Sequence, residues 1–206
     1  MDATTLDYYS KHARQVAARY ESIVSGMAVH FERVFAAGSR VLDVGCGSGR
    51  DMALLHSMGL EVYGLDACAP LLELAQQYHP PIANRLTLGA LPDSPVPFGG
   101  AFDGVLCSAV LMHVPLAHQP AAVDFVRRCL KPGGSFLYSV PTKREDVVAS
   151  DHRDSMGRLF IPDVAGRLRG LCEAQGFCWN EEWINADSLQ RDGVQWLSVH
   201  MTLAAG

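Results

Sequence analysis

Apolar residues along this 206-residue chain alternate between short continuous runs and three-to-four-residue spacings, which predicts strands alternating with helices. Between residues 5 and 36 the spacing of Val16, Tyr20, Ile23, Val24, Met27, Phe31, Val34 and Phe35 predicts a helical segment, closed by Gly38. Arg40 to Val44 reads as a short apolar strand, Asp51 to Met58 as a helix stopped by Gly59, Glu61 to Leu65 as a strand and Pro70 to Tyr78 as a helix. The double proline at 80 and 81 precedes a strand around Arg85 to Leu88, and Leu91 to Pro97 is a proline-rich loop. Phe102 to Cys107 predicts a buried strand, Gln119 to Leu130 a helix, and Pro132-Gly133-Gly134 a turn into a strand at Ser135 to Val140. The rhythm predicts an α/β domain, a doubly wound, mostly parallel sheet with helices on both faces.

Beyond residue 140 the pattern changes. Thr142 to Ser155 is polar and predicts a loop, followed by a helix at about Pro162 to Gln175. The strands Phe177 to Ile184 and Val194 to Leu203 are joined through Arg191-Asp192-Gly193, too short a connection for a crossover helix. They are expected to pair as a C-terminal antiparallel hairpin.

Composition narrows the function classes. A chain of this length fits one domain, and 49% hydrophobic with 19% charged residues can build a full core. The net charge of -5 argues against a nucleic-acid-binding surface. The longest mostly apolar stretch, Gly104 to Leu116, is interrupted by Ser108 and His113 and is too short to span a bilayer. No signal peptide is apparent at Met1-Asp2-Ala3-Thr4. Six cysteines without a CxxC pair fit reduced thiols, so a cytoplasmic location is expected, and no ligand spacing suggests a metal.

The sharpest chemical signal is Val41-Leu42-Asp43-Val44-Gly45-Cys46-Gly47-Ser48-Gly49-Arg50, a strand feeding a glycine loop that opens a helix. Glycines at 45, 47 and 49 permit unusual dihedrals and let a ligand lie against bare backbone. Ser48, three residues before Asp51, has capping-box-like spacing and predicts the helix start. Nineteen residues after Gly47, Asp66 ends the second strand, where a carboxylate can accept hydrogen bonds from both ribose hydroxyls. Loop and carboxylate together predict an adenosine-type ligand.

The G-x-G-x-G spacing with Asp43 ahead of it resembles the first motif of class I S-adenosylmethionine-dependent methyltransferases. Gly64-Leu65-Asp66 looks like that family's acidic strand end, Phe102 to Ser108 resembles its fourth-strand motif, and Leu130-Lys131-Pro132-Gly133-Gly134 its turn into the fifth strand. The resemblance covers about residues 38 to 140 and implies a seven-stranded, Rossmann-like sheet. Residues 1–206 then form one domain: an N-terminal helical lid (1–37), a cofactor-binding core (38–140), and a polar loop, helix and hairpin (141–206).

By that resemblance, Gly45, Cys46, Gly47 and Gly49 wrap the methionine part of S-adenosylmethionine, with Asp43 near its ammonium. Asp66 holds the ribose, and Ala90 and Leu91 flank the adenine. Cys107 and Ser108 face the methyl end, and Tyr20 of the lid touches the cofactor. S-adenosylhomocysteine is the implied product. His113, in the loop after the fourth strand, is the candidate base or substrate contact, with a packing histidine as its alternative. The mixed-charge stretch from Lys143 through Arg158 follows the fifth strand, where it could select a polar or anionic acceptor or be a solvated loop.

The leading expectation is methyl transfer to a small-molecule acceptor, with no nucleic-acid or membrane partner. A nicotinamide-dependent reductase and a non-catalytic S-adenosylmethionine-binding module stay open as alternatives.

Overall fold

The computed structural model describes residues 1–148 and 150–205. Seven strands form one sheet: β1 (Arg40–Val44), β2 (Glu61–Asp66), β3 (Leu86–Leu88), β4 (Phe102–Ser108), β5 (Leu130–Arg144), β8 (Phe177–Ala186) and β9 (Val194–Leu203). Their order is β3-β2-β1-β4-β5-β9-β8. β1 to β5 run parallel, and β9 is antiparallel to both of its neighbours. The mostly parallel sheet and terminal hairpin agree with the fold class read from the sequence.

Side-chain alternation along the strands builds a core on each face of the sheet. Leu42, Val44, Val105, Cys107, Phe136 and Tyr138 join the cluster under α6 (Gln119–Cys129) and α7 (Val164–Ala174). Val41, Val62, Leu106 and Leu137 join the opposite cluster with Met52 and Leu55 of α4 (Arg50–Ser57). Phe31, Val34 and Phe35, around the short α3 (Phe31–Val34), fill the same side. Gly104 lies where a Cβ would come within 2.5 Å of Phe35, so the glycine lets this segment lie against β4.

The helical segment expected over 5–36 is three pieces: α1 (Ala3–Lys11), α2 (Ala13–Glu21) and α3, with Ser22–Met27 turning between the last two. The reason lies in where the apolar residues go. Tyr8, Ala13, Val16 and Ala17 pack on Cys68, Leu71 and Leu74 at α5 (Ala69–Tyr78), whereas Met27 to Phe35 pack on the other cluster. One straight helix cannot serve both surfaces. Asp2 caps α1, accepting from the Thr5 amide and hydroxyl at 2.9 and 2.8 Å. Its carboxylate also takes two N–H groups of Arg153, each at 2.9 Å, tying α1 to the segment after β5.

Two other expectations are corrected. Gly49, at φ +84°, occupies the N-cap of α4, and no side chain caps that helix. The Ser48 hydroxyl instead donates to Glu21 at 2.6 Å, joining the glycine loop to the end of α2. The strand expected at Ser135–Val140 extends to Arg144, because β9 continues to pair with it as far as Val194. The polar stretch after it then forms a small hairpin, β6 (Val147–Val148) against β7 (Arg153–Asp154), with Ala149 outside the described residues.

Candidate active site

Strand order reverses around β1, whose neighbours β2 and β4 lead to opposite halves of the sheet, and a crevice opens beyond the carboxyl ends of strands at such a point. A cavity lies there, lined by the glycine loop, by Tyr9, Val16 and Tyr20 of α1 and α2, and by the ends of β4, β5, β8 and β9.

The loop geometry follows from its glycines. Gly45 and Gly47 sit at φ +77° and +56°, which side-chain-bearing residues rarely adopt. The Gly45 and Cys46 amides donate to the Leu65 carbonyl at 2.7 and 3.2 Å. The Gly47 amide donates to Asp66 at 2.8 Å, and the other Asp66 oxygen accepts from Cys68 at 2.7 Å. Asp66 thus clips the loop to the end of β2, and each oxygen keeps a lone pair for a ligand hydroxyl. A Cβ on Gly47 would meet nothing within 4 Å, so open space lies over the loop.

Asp43 is 2% exposed and lines the cavity, and its Oδ1 has no partner among the described residues. Burial, reinforced by Asp51 and Asp66, raises its pKa well above the ordinary carboxylate range. Burial also raises that of Asp66, against the hydrogen bonds from Cys68 and Gly47. Asp51 is occupied by the Ser25 hydroxyl at 3.2 Å and Arg50 at 2.9 Å. An unpaired buried carboxylate oxygen on a cavity-lining residue is costly unless a ligand donor or cation meets that carboxylate. The donor set therefore fits a ligand bearing an ammonium or sulfonium and a diol.

Of the residues singled out from sequence, Asp43, Gly45, Cys46, Gly47, Asp66, Ser108, His113 and Tyr20 are brought together around this cavity. Four are not among its lining residues. A Cβ on Gly49 would meet His79, Ile82 and Ala75 at 3.2 to 3.3 Å, so that residue packs behind the loop. Cys107 shares the parity of Val105 on β4 and is sealed in the α6-side core, while Ser108 at the strand end reaches the cavity. Leu91 is 3% exposed in that same core, and the Ala90 amide is held by Ser94 at 2.7 Å. Cys68 and Leu71, just after Asp66, line this part of the cavity instead. Their proximity to Asp66 in sequence was the available signal.

The cavity is also lined by residues that sequence reading did not assign to the site, Tyr9, Phe160, Arg191 and Trp196, and by Arg144 and Arg158, noted only as part of a charged stretch. Arg158 donates from Nε and Nη2 to Asp154 Oδ2 at 2.9 and 2.6 Å. Arg144 donates to both oxygens of Asp146 at 2.6 and 2.7 Å, with its guanidinium 3.6 Å from the Phe160 ring centre. Asp187 accepts from Arg191 at 2.9 and 2.7 Å and from the Trp196 indole at 2.9 Å. Burial pushes the Asp187 pKa up, but these bonds prevail and hold it at about 2.

His113 is 2% exposed, edge-on to Phe160, and its Nδ1 meets the Leu159 carbonyl. A carbonyl only accepts, so Nδ1 carries the hydrogen and the Nε2 lone pair faces the Tyr9 hydroxyl at 3.4 Å. Burial drops the imidazole pKa from 6.5 to about 4, with the Leu159 bond opposing. The ring is neutral at physiological pH. Because the unfolded chain binds this proton more readily, stability is intact above pH 6.5 and falls as pH drops toward 4. Between pH 7 and 5 the expected loss from this residue is about 2 kcal/mol. Chemical denaturation at the two pH values should show that loss in the wild type and its absence in His113→Gln. His200, also shifted down by burial, contributes equally to both proteins.

A doubly wound sheet with a glycine loop after β1, an acidic residue ending β2 and an antiparallel β9 inserted between β5 and β8 is the arrangement of the Rossmann-like methyltransferase fold. Residues 42–138 match the methyltransferase domain family. Over 110 residues the chain is 38% identical to the ubiquinone biosynthesis O-methyltransferase of Chromobacterium violaceum, covering 50% of this chain and 44% of that protein. It thus spans less than half the length of this relative. The 1,6-didemethyltoxoflavin-N1-methyltransferase of Burkholderia thailandensis, solved with 1,6-didemethyltoxoflavin and S-adenosylhomocysteine, superposes with a TM-score of 0.73 at 19% identity, over 98% of this chain and 88% of that one. The [4+2]-cyclase SpnF superposes at 0.67 with 17% identity, over 87% and 80%. Over residues 42–138 the chain is thus similar to the methyltransferase domain family, and its fold is that of S-adenosylmethionine-dependent methyltransferase structures.

Proposed function

We propose that this protein transfers a methyl group from S-adenosylmethionine to a small-molecule acceptor. The observation that carries the reading is the buried Asp43 carboxylate, one oxygen unpartnered among the described residues, in the cavity lining beside the glycine loop. In this reading Asp43 receives the cofactor ammonium, Asp66 the ribose hydroxyls, and Gly45, Cys46 and Gly47 the methionine chain. Cys68 and Leu71 border the adenine, and Tyr20 and Ser108 complete the wall. When bound, S-adenosylmethionine supplies a methyl carbon on a sulfonium, which an acceptor lone pair displaces with a neutral thioether leaving.

The protein's own part is to position, to exclude water and to hold protons. Tyr9, Val16 and Tyr20 roof the site, leaving room for a small acceptor beneath two helices. His113, neutral and oriented by Leu159, accepts from Tyr9 and orients that hydroxyl, whose pKa burial raises so that the proton stays on oxygen. A group titrating near 4 is a weak general base at neutral pH, so positioning is its proposed role. Six free cysteines, five of them buried, suit a reducing compartment, and no described helix is long and apolar enough to cross a membrane. We read the protein as cytoplasmic and as having no nucleic-acid partner.

A nicotinamide-dependent reductase would place a pyrophosphate at the glycine loop beside Asp43 and Asp51, and like charge disfavours that. The SpnF superposition shows that the fold also serves a protein named for other chemistry, so turnover must be measured. Calorimetry is expected to detect S-adenosylmethionine and S-adenosylhomocysteine and no NAD. Binding of NAD alone would overturn the reading. Methylated products should appear by mass spectrometry when a metabolite pool is incubated with protein and labelled S-adenosylmethionine. Tight binding with no labelled product would leave a binding module.

A further inference from the structure

The cavity carries charge of both signs. Beside the glycine loop it presents Asp43, Asp51 and Asp66 with Arg50, and its lining also carries Arg144, Arg158 and Arg191 with Asp187, Tyr20 standing by Arg50, Arg158 and Arg191 alike. Two further counter-ions of these arginines, Asp146 and Asp154, are not among the lining residues. Carboxylates therefore stand behind the guanidiniums of Arg144 and Arg158 rather than between them and the ligand space.

The three arginines are paired in the same way. Arg158 uses Nε and Nη2 on Asp154, Arg144 uses Nε and Nη2 on Asp146, and Arg191 uses Nε and Nη2 on Asp187. Nη1 of Arg144 and of Arg191 has no protein acceptor among the described residues, and beyond Asp154 Arg158 meets only the Tyr9 hydroxyl, which a ligand carboxylate can replace. Arg158 and Arg144 converge further. Both approach the same oxygen of Asp154, at 2.6 and 3.8 Å, and both guanidiniums lie by the Phe160 ring, at 5.4 and 3.6 Å from its centre. Arg158 is 9% exposed and the Arg144 side chain 6% exposed, so little bulk water reaches these donors. Each guanidinium, paired through Nε and Nη2 with its own aspartate, keeps an edge in a partly dry site that a carboxylate can meet with charge-assisted hydrogen bonds.

Resting on the methyltransferase reading, we propose that the acceptor is an organic acid whose carboxylate docks on the Nη1 donors of Arg158 and Arg144. Asp146, Asp154 and Asp187 balance the charge of the three arginines one for one, so a monoanion suits the site better than a phosphate dianion. Tyr9, which adjoins His113 at 3.4 Å and lies under Arg158 at 5.9 Å, forms the wall between this pocket and the reacting end. Trp196, held by Asp187, supplies an apolar flank on the β9 side. The arrangement recognises the acid at one end of the acceptor and leaves its nucleophilic end toward the cofactor.

The test is calorimetry on protein saturated with S-adenosylhomocysteine, using benzoate, 4-hydroxybenzoate and 3-hydroxybutyrate, each beside its methyl ester. At least one acid is expected to bind about tenfold or more tightly than its ester, the scale of a charge-assisted hydrogen bond. Arg158→Gln should erase that preference while leaving S-adenosylhomocysteine affinity within about twofold, which also reports that the variant is folded. Arg158→Lys should restore part of the preference, and Arg144→Gln should reduce it without touching the Asp154 pair. Acids binding no better than esters, or Arg158→Gln weakening acid and ester alike, would overturn the inference and leave the cofactor reading intact. Failure of S-adenosylhomocysteine to bind the wild type would overturn the cofactor reading, and this inference with it.

Discussion

Asp43→Asn is expected to melt higher than the wild type when ligand-free, yet to bind S-adenosylmethionine about 100-fold more weakly, a loss of about 2.7 kcal/mol. Both effects have one cause. The Asp43 carboxylate is buried with an unpaired oxygen, and burial plus Asp51 and Asp66 disfavour its charge. Removing that charge relieves the empty site by about 1 kcal/mol, which raises the melting temperature by roughly 2–4 °C for a domain of this size. The same charge is what meets a cationic ligand. Saturating S-adenosylhomocysteine at 100 times its wild-type Kd should stabilise the wild type by about 2.7 kcal/mol and the variant by well under 1 kcal/mol. Differential scanning fluorimetry with and without ligand reads both quantities. A variant that is destabilised without ligand, or that keeps its ligand-induced shift, would refute the assignment.

Gly45→Ala is expected to be among the most damaging single-methyl additions in the molecule. The backbone at φ +77° disfavours any side chain, at about 1–2 kcal/mol, and the new Cβ would lie 2.2 Å from Val110 Cγ2. Overpacking adds about 1–3 kcal/mol, for a combined loss near 2–5 kcal/mol. The second part is removable. Val110→Ala in the same chain should clear the contact and recover the steric share of the Gly45→Ala loss, while the dihedral share remains. Urea denaturation of the four proteins in this cycle separates the two. Additive losses would mean that Val110 is not what Gly45 makes room for.

The glycine loop was legible in the sequence because its chemistry is local. Gly45, Gly47 and Asp66 come from two adjacent strands, within a span that one strand–helix–strand unit brings together. The alternation of β4 was equally readable. Cys107 shares the parity of Val105, and applying it would have sent the thiol into the core and left Ser108 at the mouth. Ser48 was misread for a different reason: its spacing suits a cap, but Glu21, on a helix more than twenty residues earlier, offers a stronger partner. Tertiary contact overrode local preference. The acceptor side was legible only in part: the mixed-charge stretch after β5 pointed to Arg144 and Arg158, but no local pattern joined them to Arg191. Arg144 extends from β5, Arg158 follows the small hairpin, and Arg191 lies between β8 and β9. Only the closed sheet and the docking of α1 bring their guanidiniums to one cavity.

The placement of β9 between β5 and β8 bears on synthesis as well as on shape. A nascent chain translated only as far as β8 holds a ten-residue strand whose sole sheet neighbour does not yet exist. During that interval β5 offers an open edge, a template for pairing with another chain. Arg191, Trp196 and Ser198 reach the cavity only when β9 slots in. The half built around the glycine loop can thus take shape early on the ribosome, whereas the half bearing Arg191 and Trp196 comes into being in one late, long-range step.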